Sequence, residues 1–286
     1  MDHFELLEDF ANERDLIRRK KESGESVLTL DPILAKYRFC NVRRRDDRVS
    51  RWLLRYYYKD LSGDVWFRAL LARLINWPPT LLRLTEAKVI PTHVEEFNPY
   101  EFLSAMADIE ASKEKMYSSA YIVYPTNVAG NTKSINLTQY IIMPTVSMRD
   151  VMRNEIADES VEGFTTKLSS SFGIKTFIAG QVAADLTYLR GQLDNATDLY
   201  SWAPMGPGSQ RGLNRLHKRA LKKSMSQEQF NAELTEVRGR LIRSNGAFRD
   251  LTLHDVQNVM CEFDKYLRVL MNEGAPRQLY KSERAF

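Results

Sequence analysis

The sequence is poor in the residues that hold a fold together covalently or through metal. Among 286 residues there are two cysteines and four histidines. Cys40 and Cys261 lie far apart, each within an apolar helical pattern. That placement favours buried thiols in a reducing compartment over a disulfide. Scattered histidines without paired cysteines count against a structural zinc site. No apolar run approaches the roughly 20 residues that span a bilayer. The opening stretch, MDHFELLEDFANERDLIRRKKE, is charged and amphipathic and lacks the apolar core of a signal peptide. These absences predict a cytoplasmic chain with no membrane partner. Glycine (13) and proline (10) are modest and hydrophobic residues make up 43%, which excludes a disordered or fibrous chain.

Acidic residues are scarce in one place. Lys36 to Arg55 holds eight Lys/Arg and only Asp46 and Asp47, although the net charge of the whole chain is only +4. Phe39, Val42, Val49, Trp52, Leu53 and Tyr56 run through the same block at helical spacing. It therefore reads as a packed element that also presents guanidinium groups, whose fork and permanent charge suit phosphate. Asp47 can reach Arg44 and Arg51 on the same helix, and Asn41 precedes or caps it. Two readings stay open here: a buried Arg–Asp network, or a phosphate clamp in which Asp47 orients Arg44 and Arg48.

Helical periodicity dominates the rest. Helices are predicted over 3–20, 46–58, 64–76, 99–114, 147–168, 174–190, 208–224, 226–244 and 254–272. The third of these, 64–76, is stopped by Trp77-Pro78-Pro79. The segment 117–145 differs, with β-branched and aromatic residues around Gly130-Asn131, and reads as a small hairpin or irregular insertion. No internal repeat or linker divides the chain, so the simplest expectation is one mainly α domain over 1–286 with a small β insertion.

Three further blocks carry chemistry. In GIKTFIAGQVAADLTYL the apolar stripe Ile174, Phe177, Ile178, Val182, Leu186 and Leu189 also contains Gln181 and Asp185. A buried carboxylate is costly unless it is paired or used. Asp185 is therefore either a structural acid met by an arginine or a group held for a substrate amine or a developing cation. In MGPGSQRGLNRLHKR, Gly206, Pro207 and Gly208 form a tight turn and Ser209 can cap the following helix. With Arg211 and Arg215 nearby, that is either an anion site or an ordinary turn before a basic helix. The spacing fits neither a Walker loop nor the dinucleotide fingerprint. In HDVQNVMCEFDKYLRV, Glu262 with Lys265 and Asp264 with Arg268 are spaced to pair along one helix. These are either surface ion pairs or a reactive acid–base set beside Cys261.

Together the four blocks resemble the phage and fungal family of α-glutamyl/putrescinyl thymine pyrophosphorylases, also described as the 5-hydroxymethyluracil DNA kinase helical domain. The residues that carry the resemblance are Arg38, Phe39, Asn41, Val42, Arg44, Asp47 and Arg48. They are joined by Phe177, Gln181, Asp185 and Leu186, by Gly206 to Ser209 with Arg211 and Gly212, and by Cys261 to Tyr266. Order and spacing agree over about residues 35–281. Arg43 departs from the pattern, which has an aromatic residue there.

The resemblance implies a helical bundle related to helix-hairpin-helix DNA glycosylases, working in the host cytoplasm if the chain is from a phage. It implies double-stranded DNA carrying pyrophosphorylated 5-hydroxymethyluracil, and an amine or amino-acid co-substrate such as glycine, glutamate or putrescine. Asn41, Arg44, Asp47 and Arg48 would hold the pyrophosphate. Gln181, Asp185, Glu262, Asp264 and Lys265 would serve catalysis, and Gly206, Gly208, Ser209, Arg211 and Arg215 would grip DNA. No cofactor is expected, and no spacing demands a Mg²⁺ site. A glycosylase-like hydrolase acting on modified thymine, and a non-catalytic DNA-binding module, are the competing expectations.

Overall fold

The computed structural model describes residues 2–59, 62–118 and 131–280. The chain divides into two compact units, one made of Met1–Asp47 with Leu199–Ala285 and one made of Arg48–Asp198. Among the described residues both are helical. The described residues form no strand, only an isolated antiparallel bridge between Tyr37 and Leu279.

In the first unit α1 (His3–Glu22) starts where the Asp2 side chain accepts from the Phe4 amide, and it ends on Arg19, Lys20 and Lys21. Both ends suit the helix dipole. Next, α2 (Pro32–Lys36) is capped by Asp31, and a single 3-10 turn spans Arg44–Asp46. The second unit opens with α3 (Arg48–Trp52), which runs into a π-helical turn, Leu53–Tyr57. It continues with α4 (Val65–Ile75), α5 (Pro78–Glu86) and α6 (Pro99–Ala111). After α7 (Lys133–Leu137) a second π turn, Thr138–Ile142, leads into α8 (Met143–Val146). The unit closes with α9 (Arg149–Ala157), α10 (Val161–Ser169) and α11 (Thr176–Leu186). The first unit then resumes with α12 (Pro207–Leu216), α13 (Gln227–Ser244) and α14 (Leu253–Leu270).

The β insertion is corrected: residues 133–146 are helical, while 119–130 lie outside the described residues. Thr132, whose side chain accepts from the Ile135 amide, starts a helix that the β-branched composition hid. The expected helix 147–168 is two helices, parted at Glu159, whose φ of 49° is left-handed. Pro78 and Pro79 do stop α4, but they also open α5, where a missing amide hydrogen costs nothing. Ser226 caps α13 as its sequence suggests, accepting from the Gln229 amide.

The first unit is built on α14. Val256, Val259, Met260, Phe263 and Leu267 are buried against residues such as Leu7, Phe10, Leu213 and Leu234. In the second unit α11 packs on α4 and α10. Every residue of α4 except Arg68 is buried, Arg73 included.

Candidate active site

The polar face of α14 carries Asp255, Asn258, Glu262 and Lys265, spaced three, four and three apart and so aligned on one side of the helix. The Arg-rich block lies along that face as a loop and 3-10 turn. The backbone amide of Arg44 donates to Asp255 Oδ1 at 2.9 Å, and its guanidinium donates to Asn258 Oδ1 at 2.8 Å. Asn258 in turn donates to the Asn41 carbonyl at 3.4 Å. The Cys40 amide donates to Glu262 Oε2 at 2.8 Å, and Lys265 Nζ lies 2.5 Å from the same oxygen. Lys265 Nζ also sits 4.6 Å from the centre of the Phe39 ring. From the other side Arg14, itself buried, donates to the carbonyls of Phe39 and Cys40 and to Asn41 Oδ1.

Asp47 caps the C-terminal end of the 3-10 turn rather than sitting mid-helix, and its Oδ1 accepts from the Asn41 amide at 2.8 Å. Asn41 Nδ2 donates to the Asp46 carbonyl at 2.8 Å. Burial pushes the Asp47 carboxyl above its ordinary range, opposed by Arg44 and the Asn41 amide. Asp255 is raised in the same way, opposed by the Arg44 and Thr252 amides. Burial also raises both thiols, Cys261 to about 11, which excludes a resting thiolate nucleophile at either. Cations (Arg14 from α1, Arg44 from the loop, Lys265 from α14) and carboxylates (Asp47 from the loop, Asp255 and Glu262 from α14) thus meet where the 38–47 loop lies against α14. Lys265 and Glu262 keep partial access to solvent, with side-chain exposures of 22% and 10%.

The second face of α14 meets α12. Asp264 does not pair with Arg268, as spacing along the helix suggests, but with Arg211 and Arg215, at 3.0 and 2.9 Å. Arg215 is buried and also reaches Glu273. Gly206 is the N-cap of α12. Ser209 sits at the third helical position, where its fully buried Oγ donates to the Gly206 carbonyl and accepts from Gln257. The glycines of this block serve close packing. A Cβ on Gly208 would stand 2.4 Å from Cys261 Sγ, and one on Gly212 would stand 2.3 Å from the Met260 carbonyl oxygen. Gly208 and Gly212 are one helical turn apart, so they form a groove into which α14 fits.

In the second unit Gln181 and Asp185 are buried, at 3% and 1% exposure, as their place on the stripe predicts. On that stripe Phe177 is 54% exposed and Leu189 half-buried. Asp185 Oδ2 accepts from Arg73 Nε and from the Tyr58 hydroxyl, both at 2.7 Å, and Arg73 Nη2 closes a second bond to Oδ1. Arg73 donates as well to Ser50 Oγ at 3.0 Å. Burial, with Asp185 alongside, pushes the Tyr58 hydroxyl well above its ordinary range, so it stays a donor. Arg48 belongs to this unit and Arg44 to the other.

The residues that sequence reasoning missed are Arg14, Asp255 and Asn258 on the α14 face, and Arg73, Tyr58 and Ser50 around Asp185. Arg73 was legible by the criterion that singled out Asp185, since a charge stands among apolar residues in VWFRALLARLI. The others carry no local signal, because each becomes polar machinery only through a long-range partner.

The sequence pattern of a family described as 5-hmdU DNA kinase, helical domain, matches residues 1–275. No curated protein and no solved structure matches the chain.

Proposed function

The chain belongs to the family of the 5-hmdU DNA kinase helical domain, and from that membership we propose that it modifies thymine-derived bases in DNA. The reaction in this reading is a transfer. The nitrogen of an amine or amino acid attacks the 5-methylene carbon of a pyrophosphoryloxymethyl uracil. The C–N bond forms, the C–O bond breaks, and pyrophosphate leaves with the electron pair. One proton from the attacking nitrogen passes to a carboxylate.

The observation that carries the reading is the Glu262–Lys265 pair, an acid and an ammonium 2.5 Å apart on a packed helix, Glu262 nearly buried and Lys265 reaching solvent. Glu262 is the group placed to take the amine proton. Lys265 is the cation placed to meet the leaving phosphate. In this reading Asp255, Asn258, Arg44 and Asn41 hold the 38–47 loop so that the pair keeps its geometry. Gln181 and Asp185 shape the second unit, and the likeness to helix-hairpin-helix glycosylases belongs to the same proposal. The sequence contains no Gly-Lys-Ser/Thr, so the phosphate cradle of a P-loop kinase is not among its motifs.

The test supplies DNA containing the pyrophosphorylated base together with glycine, glutamate or putrescine, followed by digestion and mass spectrometry of the nucleosides. A new aminated nucleoside with stoichiometric pyrophosphate is expected, and Glu262→Gln lowers its rate about 100-fold or more. An abasic product without added amine would establish the hydrolase instead. No product with any amine would sink the transferase reading.

A further inference from the structure

The stretch from Arg48 to Lys59 has two faces of opposite character. The inner one is bonded: Ser50 accepts from Arg73, and Tyr58 donates to Asp185. In an ideal α-helix eight residues advance about 800°, which would leave position 58 roughly 80° off the face of position 50. The five residues Leu53–Tyr57 are π-helical. Their wider turn lags by roughly 90° and returns Tyr58 to the line of Ser50. The distortion is therefore held by the Arg73–Asp185 pair, and it fixes what the outer face presents.

That outer face carries Arg51, Arg55 and Lys59, all exposed, and Tyr56 at 59% exposure. Arg48 and Trp52 are half-buried beside them. No acidic residue occurs between positions 48 and 59. The rings are ordered: Trp52 stacks on Tyr57 with centroids 6.3 Å apart and planes 25° from parallel, and Tyr56 lies 6.1 Å from Trp52. The Arg55 guanidinium is 5.4 Å from the centre of the Tyr56 ring. Three exposed cations thus accompany one exposed ring, Tyr56, with Trp52 half-buried beside it and Tyr57 buried behind Trp52.

We propose that this face of the second unit is the surface that holds a DNA strand, with Arg51, Arg55 and Lys59 on phosphates and Tyr56 stacking on a base. A nucleic acid strand offers the matching chemistry, anionic groups interleaved with flat rings. An acidic protein surface offers the charge without the rings. Arg211 and Arg215, the other basic pair singled out by sequence, are both bonded to Asp264. This assignment rests on DNA being the substrate, as the proposed function has it.

Fluorescence anisotropy with unmodified single- and double-stranded oligonucleotides, over a salt series, tests it on the full chain. Arg51→Ala with Arg55→Ala should weaken binding about tenfold or more and flatten the salt slope by about one to two units. Tyr56→Ala should weaken single-strand binding about tenfold with the slope unchanged. Arg55→Ala with Lys59→Ala repeats the first measurement should the Arg51 change disturb folding. Variants that bind like the wild type overturn the surface but leave the transferase reading intact if the wild type still forms product. A wild type that binds DNA through these residues yet transfers no amine overturns the reading and leaves the surface. Wild-type protein that binds no DNA, or binds polyglutamate as tightly as DNA, overturns this assignment.

Discussion

The Arg73–Asp185 pair of the second unit and the Glu262–Lys265 pair of the first differ in how completely neighbours close around them. Asp185 is 1% exposed and is bonded by Arg73 through two nitrogens and by Tyr58; Arg73 is bonded in addition by Ser50. Glu262 has one amide and one ammonium, and Lys265 keeps 22% of its side chain in solvent. Both are opposite charges on packed helices, but the first is closed in by Tyr58 and Ser50, whereas the second leaves part of Lys265 in solvent. Burial of a titratable group is therefore a weak pointer to chemistry until its partners are known.

The comparison breaks first at Asp185. Asp185→Asn leaves the Arg73 charge buried without its counter-ion and should cost about 3–5 kcal/mol, read by urea denaturation. Replacing both, as Arg73→Met with Asp185→Leu, should recover most of that loss and also restore product formation. Recovery of stability without product would move Asp185 from structure into catalysis. Glu262→Gln, by contrast, should alter the melting profile little beside its effect on rate.

A second, smaller effect tests the frame that holds Glu262. Gly212→Ala places a methyl 2.3 Å from the Met260 carbonyl oxygen and should destabilise the first unit by about 3 kcal/mol. Gly246→Ala, where a Cβ meets nothing within 4 Å, is the matched control and should change stability little. Equal effects would remove the argument that the 208–212 glycines exist for helix packing.

The smallest effect is a matter of pH. Hydrogen bonding by Arg43 holds the Asp250 carboxyl below its ordinary value of 3.8, against the opposing effect of burial. The native state then binds fewer protons than the unfolded state. Its contribution to stability is present above about pH 4 and is lost as pH falls through the native value. Asp47 and Asp255 are raised, so for them the sign reverses and stability falls as pH rises through their native values. Asp250→Asn should accordingly shrink the loss of stability between pH 5 and pH 3, measured by urea midpoints at each pH; an unchanged profile would deny the Arg43 bond any weight.

Much of the helical layout was legible in the sequence, because periodicity, proline stops and caps such as Ser226 act over a few residues. The burial of Gln181 and Asp185 was legible for the same reason. The split at Glu159, the exposure of Phe177 and the helices within 133–146 were not, since each depends on what packs nearby and not on local preference. The pairing of Glu262 with Lys265 follows from spacing along α14, but that of Asp264 with Arg211 and Arg215 does not. Two partners on another helix outcompeted Arg268 because α12 approaches closely through its glycines.

By itself the sequence determined the class of the fold, the faces of its long helices and the family to which it belongs, because these follow from short-range pattern and motif order. Tertiary structure decided which charges are closed and which are presented. An arginine in a basic block looks the same whether a distant aspartate awaits it or solvent does, and only the folded chain brings that partner within bonding distance or leaves it away.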